Sequence, residues 1–127
     1  MAQMDLDLAK TEEILVQYVK NYMENSGFEN LVIGMSGGLD STVSAALACN
    51  AIGPEHVYGF SLPYGNQEVL PAQNWAHELG MNYGEISITG PVDSLLQILP
   101  INKDDSEYKL RKGNIMIPVH LPLCQYW

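Results

Sequence analysis

Apolar residues along the chain recur first at helical spacing and then in short runs, and the alternation between the two sets the outline of the fold. From Asp7 to Ser26, Leu8, Leu15, Tyr18, Val19, Tyr22 and Met23 fall at helical intervals, and Gly27 follows as a C-terminal cap. This predicts an amphipathic first helix. Asn30 to Met35 carries Leu-Val-Ile-Gly-Met, a run suited to a strand buried on both faces of a parallel sheet. A glycine turn at Ser36-Gly37-Gly38 ends it. Asp40 to Asn50 is predicted helical: Ala45, Ala46, Leu47 and Ala48 favour helix, the alanines let it lie close to a sheet, and Gly53-Pro54 stops it.

The alternation then repeats. Val57 to Leu62 reads as a second strand, Gln67 to Leu79 as a helix with Gly80 at its end, and Tyr83 to Ile88 as a third strand. Pro71 fits that helix only in its first turn or at a kink. Pro91 opens a further helix carrying Val92, Leu95, Leu96, Ile98 and Leu99, closed by Pro100. Strand and helix in strict alternation imply an α/β fold, a parallel sheet with flanking helices and right-handed crossovers. Ile101 to Lys112 reads as a loop or short helix with a solvated cluster at Asp104, Asp105 and Glu107. Gly113 to Trp127 is apolar but broken by Pro118 and Pro122, so no regular element is expected there.

Composition bounds the rest. The 127 residues, 46% hydrophobic and 17% charged, suit one globular domain over 1–127 with a single core that needs neither metal nor disulfide to fold. The N-terminus lacks the basic start and apolar core of a signal peptide and no run approaches a membrane span, so a cytoplasmic protein is expected, with Cys49 a small core residue. Fifteen acidic against 6 basic residues give a net charge of −9, which argues against nucleic acid and anionic membrane as partners. Three of the cations are Lys109, Arg111 and Lys112, so a polyphosphate bound elsewhere must rely on backbone N–H groups, a helix N-terminus or a metal ion.

One segment meets that requirement. Ser36-Gly37-Gly38-Leu39-Asp40-Ser41 lies between predicted strand and helix, at the carboxyl end of the strand, where open α/β sheets place their ligands. Paired glycines allow positive φ and close backbone approach, the helix start directs N–H groups outward, and Ser36 and Ser41 add hydroxyls. The result is an anion cradle for phosphate or pyrophosphate. Asp40 would repel phosphate unless a divalent cation intervened, which makes it a candidate magnesium ligand. A plain strand-to-helix turn with Asp40 or Ser41 as N-cap is the competing reading. No Walker lysine follows the glycines, and Gly34, Gly37 and Gly38 lack the dinucleotide-fold spacing. His56 and His77 show no metal-ligand spacing with cysteine.

Gly34-Met35-Ser36-Gly37-Gly38-Leu39-Asp40-Ser41 resembles the pyrophosphate loop of the N-type ATP pyrophosphatases. Three further stretches narrow the resemblance to ammonia-dependent NAD synthetase: Val57 through Leu62-Pro63-Tyr64-Gly65-Asn66-Gln67; Ala76-His77-Glu78-Leu79-Gly80 through Ile86-Ser87-Ile88 to Pro91-Val92-Asp93; and Lys112-Gly113-Asn114-Ile115-Met116. It covers nearly everything from Leu8 to Met116. It implies a Rossmann-like three-layer α/β/α fold of the adenine nucleotide alpha-hydrolase type with an incomplete C-terminal half. It also implies a carbon–nitrogen ligase. ATP adenylates the carboxylate of deamido-NAD, releasing pyrophosphate, and ammonia attacks the acyl adenylate to give NAD and AMP.

By the same resemblance Gly34, Met35, Ser36, Gly37, Gly38, Leu39, Asp40 and Ser41 hold ATP and Mg²⁺, with Asp40 on the metal, while Phe60, Leu62 and Gln67 frame the adenine. Gln67 reads equally as a helix-start residue. Catalysis would be mostly positioning and electrostatics, and no single catalytic residue is assigned. Trp75 and Tyr64 are candidate stacking residues, read more simply as a core-facing helix aromatic and a loop aromatic. The implied assembly is a homodimer or higher homo-oligomer, to which the apolar Ile115, Ile117, Val119, Leu121, Leu123, Tyr126 and Trp127 would contribute.

The pattern breaks after Met116. The family continues with an arginine-bearing helix, and here Pro118 and His120 take the two arginine positions. The sequence given stops before the family's second ATP-binding region, so weak or no synthetase activity is expected. A frameshift or early stop would give such a tail, 117–127, as would a short homologue with a tail of its own. Pro71 stands where the family usually has an acidic residue. A non-catalytic nucleotide-binding or interaction domain is the second reading. Another ATP pyrophosphatase, such as a tRNA-thiolating enzyme, is a third, disfavoured by the acidic charge.

Overall fold

The computed structural model describes residues 6–100 together with Tyr108, Lys112 and Met116. Its first element, α1 (Leu8–Ser26), is capped at both ends by local chemistry. The Asp7 carboxylate accepts the Lys10 N–H at 3.2 Å, and Gly27 ends the helix with φ +73°, a left-handed position that a side chain would strain. Only Met23 of α1 is buried, and Leu8, Ile14, Leu15, Tyr18 and Tyr22 are exposed. The helix is therefore apolar on more than its packed side. Its partner is α2 (Leu39–Ile52), with Asn50 of α2 donating to the Glu12 carboxylate at 3.0 Å.

Three strands, β1 (Leu31–Gly34), β2 (Val57–Ser61) and β3 (Asn82–Glu85), form a parallel sheet in the order β1-β2-β3. Leu31 pairs with Val57 and Gly34 with Phe60 on one side of β2, and Tyr58 with Asn82 and Ser61 with Glu85 on the other. The connections run through α2 and α3 (Leu70–Leu79), and right-handed crossovers in this order put both helices on one face. The helices touch each other as well as the strands. A short 3-10 turn, Pro54–His56, joins α2 to β2 and was not anticipated from the sequence.

Small side chains permit the close helix-to-sheet approach. Ala45, Ala48 and Cys49 of α2 and Ala72 and Ala76 of α3 are buried with Met35, Val57 and Met81, and Leu31, Ile33 and Tyr83 pack against them. Gly59 belongs to the same layer: a Cβ there would fall 2.6 Å from Met81 Cε and 2.8 Å from Met35 Cγ. Burial pushes the Cys49 thiol up from its ordinary value, with the Glu55 carboxylate adding to the rise, as expected of a core cysteine.

Several boundaries move. β1 is half-buried rather than buried on both faces, because among the described residues the packed helices cover one side of the sheet. α3 starts at Leu70, not Gln67, which accommodates Pro71 in its first turn, where a missing N–H costs nothing. β3 ends at Glu85, although the Ile86 N–H still donates to Ser61 O at 2.9 Å and the Ile88 N–H to Pro63 O at 3.0 Å. α4 (Thr89–Ile98) begins two residues before Pro91, with Val92 and the preceding Ile88 fully buried. The stretch from Ile101 and the apolar tail to Trp127 lie outside the described residues, apart from Tyr108, Lys112 and Met116.

Candidate functional site

The chain leaves the sheet at the carboxyl end of β1 and must turn into α2 within a few residues. Gly37 makes that turn with φ +83°. A Cβ there would also stand 3.1 Å from Pro71 Cβ and 3.3 Å from the Ala72 nitrogen, so glycine is required twice over, for its dihedral and for the approach of α3. Gly38 has φ −80° and is the N-cap of α2; positive φ is needed at one of the paired glycines, not both.

Two hydroxyls brace the turn. Ser36 Oγ and Ser41 Oγ lie 3.0 Å apart, Ser36 Oγ accepts the Gly38 N–H at 3.2 Å, and Ser41 Oγ accepts the Ser36 N–H at 3.3 Å. The Thr42 hydroxyl and the Thr42 N–H both donate to Gly38 O. The first-turn N–H groups of Leu39, Asp40 and Ser41 precede the helical ladder and carry the positive end of the α2 dipole. Asp40 is the acidic residue of that first turn, and it is exposed.

Beside the turn lies a cavity of about 480 Å³, of the size that holds small ligands, lined by Gly34, Met35 and Ser36 from β1 and its exit, Phe60 and Ser61 from β2, and Leu62, Pro63, Gln67, Glu68 and Val69 from the following loop. The structure thus brings six sequence-predicted residues, Gly34, Met35, Ser36, Phe60, Leu62 and Gln67, around one space, with Gly37, Gly38, Leu39, Asp40 and Ser41 continuing from its rim. Two of these take part through backbone: Met35's side chain is in the core at 3% exposure, and Leu39's points to solvent at 78%. Among the described residues, no lysine or arginine lines the cavity.

The loop wall is tied down from outside. Gln67 is a loop residue whose side-chain oxygen accepts the Tyr64 N–H at 2.9 Å. The Gly65 N–H donates to Thr89 Oγ1 at 2.7 Å, and the Tyr64 hydroxyl donates to the Asp93 carboxylate at 2.5 Å. Lys112 places its ammonium 3.7 Å from the centre of the Tyr64 ring. Tyr64 is therefore a loop anchor. Trp75, expected to face the core, is instead 50% exposed on α3 and does not line the cavity. His56 bonds Asn30 through Nδ1 at 3.1 Å and lies 3.8 Å from the Glu55 carboxylate.

Sequence reasoning missed Ser61 and Tyr83. Ser61 is buried at the cavity floor, donating to Met35 O at 2.7 Å and accepting from the Tyr83 hydroxyl at 2.8 Å. Desolvation, with the nearby Glu85 carboxylate, raises the Tyr83 phenol above its ordinary value and keeps it a donor. The available signal was period-2 alternation in β2, which puts a hydroxyl at Ser61 on the same inward face as Val57 and Gly59.

Comparison with known proteins identifies the family and the fold. The family model described as NAD synthase matches residues 11–120. The NH(3)-dependent NAD(+) synthetase of Chlorobaculum tepidum is 37% identical over 123 residues, covering 94% of this chain and 42% of its own length. That of Chlorobium phaeovibrioides is 35% identical over 116 residues, covering 89% and 40%. The chain thus spans less than half the length of these curated relatives. Among solved structures, an NH3-dependent NAD synthetase from Campylobacter jejuni, in complex with nitrate, superposes with a TM-score of 0.84 at 22% identity over 94% of this chain and 51% of that one, a likeness of fold. A glutamine-dependent NAD+ synthetase from Acinetobacter baumannii, in complex with ADP, gives 0.78 at 26% identity, over 99% of this chain and 25% of that one.

Proposed function

The chain belongs to the NAD synthase family, and on that premise we propose that its glycine turn and the adjoining cavity form an ATP site serving the amidation of deamido-NAD by ammonia. The observation that carries this is the meeting of the Ser36–Ser41 turn with the cavity bounded by Phe60, Leu62 and Gln67. One is built to receive an anion on N–H and hydroxyl donors, the other to receive a flat, mostly apolar ring. ATP has those two parts in that order.

In this reading the phosphates rest on the backbone of Gly37, Gly38 and Leu39 and on the Ser36 and Ser41 hydroxyls, and the adenine enters between Phe60 and Leu62, with Gln67 at its edge. The first-turn N–H groups of α2 are held in place by the helix before the substrate arrives, while the Gly38 N–H and the Ser41 hydroxyl, bonded within the turn, exchange those partners for phosphate oxygens. With no cation among the described residues of the cavity lining, the donor set suits Mg²⁺ held by one carboxylate and substrate oxygens, and exposed Asp40 at the helix start would be that carboxylate. When bound, the metal would supply the positive charge that the lining lacks. The two curated relatives named above and the Campylobacter jejuni protein are described as NH3-dependent, and the corresponding steps proposed here are formation of the acyl adenylate with release of pyrophosphate, then attack by ammonia with release of AMP. A cytoplasmic location and a homodimer belong to the same proposal.

The test is pyrophosphate release from Mg-ATP by the 127-residue chain, with and without deamido-NAD and ammonia. Release that depends on deamido-NAD and falls by about a hundredfold in Gly38→Asp supports the reading. Nucleotide binding without such release would assign the chain to a non-catalytic nucleotide-binding role.

A further inference from the structure

Beyond the last paired residues of β1 and β2, Gly34 and Phe60, the Met35 N–H still reaches Phe60 O at 2.8 Å, but the Met35 carbonyl is taken by a side chain. Ser61 Oγ, 3% exposed, donates to it at 2.7 Å. A serine hydroxyl has one proton, so this donation leaves the Ser61 oxygen as an acceptor, and the Tyr83 hydroxyl from β3 fills that role at 2.8 Å. The chain of donors has one direction: Tyr83 to Ser61 to the Met35 carbonyl. It crosses all three strands and ends on the peptide between Met35 and Ser36. The Ser36 N–H of that same peptide donates to Ser41 Oγ, and Ser36 Oγ holds the Gly38 N–H.

We propose that Ser61 and Tyr83 are positioning residues for the anion-binding turn, fixing the Met35–Ser36 peptide from which the hydrogen-bonded set of Ser36, Gly38 and Ser41 is built. This rests on the reading of that turn as a phosphate site. Neither residue belongs to the turn. A buried carbonyl that loses its partner costs more than the bond's net worth in water, so the peptide would rotate or hydrate once Ser61 Oγ is removed. Tyr83 reaches the turn through Ser61, to which its hydroxyl makes the shorter contact at 2.8 Å, the Glu85 carboxylate lying farther off at 3.3 Å on its own strand.

The test compares Ser61→Ala, Tyr83→Phe and the double variant in the full chain. Without ligand, amide hydrogen exchange at Met35 and Ser36 is expected to quicken about tenfold in Ser61→Ala and about threefold in Tyr83→Phe, with α1 amides unchanged. The double variant should match Ser61→Ala alone, because the Tyr83 contribution passes through the serine. With ligand, Mg-pyrophosphate affinity should fall by about the same factors, while adenosine affinity holds in Tyr83→Phe, whose side chain lies outside the cavity lining. Unchanged exchange at Met35 and Ser36, additive effects in the double variant, or equal weakening of pyrophosphate and adenosine in Tyr83→Phe would each overturn the positioning role. A wild-type chain that binds no pyrophosphate, yet shows the expected exchange pattern, would uphold the hydroxyl chain and overturn the phosphate site instead.

Discussion

Gly37 and Tyr83 show how single residues carry the site. At Gly37 the backbone is left-handed and the space for a Cβ is already taken by Pro71 and Ala72. Gly37→Ala is expected to lower stability by about 1–2 kcal/mol from the dihedral alone, measured by urea unfolding, and to weaken nucleotide binding further as α3 is pushed from the turn. Tyr83 contributes through its proton. Its phenol is raised in the folded protein, so above the ordinary value near 10 the unfolded chain releases that proton first and holds fewer protons than the native state. Stability therefore falls as pH rises from about 10 toward the raised folded value, and levels off above it. Urea midpoints for Tyr83→Phe should lack this alkaline decline, and an identical slope in the variant would show that another group is responsible.

The elements were legible in proportion to how local their causes are. α1, α2 and the three strands follow from periodicity and from caps at Asp7, Gly27 and Gly53, all visible in the letters. The turn at Ser36-Gly37-Gly38 was equally legible, since glycine there answers to a dihedral. Other features depended on contacts distant in sequence. Gln67 was left between helix start and site because its choice depends on Tyr64, and Trp75 was expected in the core because helical spacing cannot tell which of two faces meets the sheet. Alternation in β2 turns Ser61 inward, but its partner Tyr83 is supplied by β3, 22 residues on. Packing of α2 on the sheet relies on Ala45 having no exposed surface at all. Ala45→Leu should overpack that contact and cost about 1–3 kcal/mol, detectable as a lower unfolding midpoint with an unchanged slope.

For the whole molecule, net charge and site design are linked. A chain of charge −9 whose cavity has no lysine or arginine among its described lining residues would hold polyphosphate, in the proposed reading, by dipoles and a metal. Chelating Mg²⁺ is expected to reduce ATP affinity by about tenfold or more, and Asp40→Asn to reproduce part of that loss in titrations at fixed Mg²⁺. No helix among the described residues is long and apolar enough to cross a membrane. Exposed apolar side chains are instead concentrated on α1, where Ile14, Leu15, Tyr18 and Tyr22 face outward. If that face carries the proposed self-association, Tyr18→Glu will shift sedimentation equilibrium toward monomer, and a wild-type chain that is monomeric at every concentration would contradict it.

The central claim is that the turn from Gly34 to Ser41 is a working phosphate site. Calorimetric titration of the chain with ATP and Mg²⁺, beside Gly38→Asp, tests it most directly. Gly38 is the N-cap of α2 at φ −80°, a conformation open to aspartate once the Ser36 hydroxyl, 3.3 Å from the new Cβ, gives way slightly, and the carboxylate would compete with phosphate for the first-turn N–H groups. Saturable binding by the wild-type chain, lost in a folded Gly38→Asp, is the predicted result. No binding at millimolar ATP, or equal binding by both proteins, would mean that the glycines serve only to turn a strand into a helix.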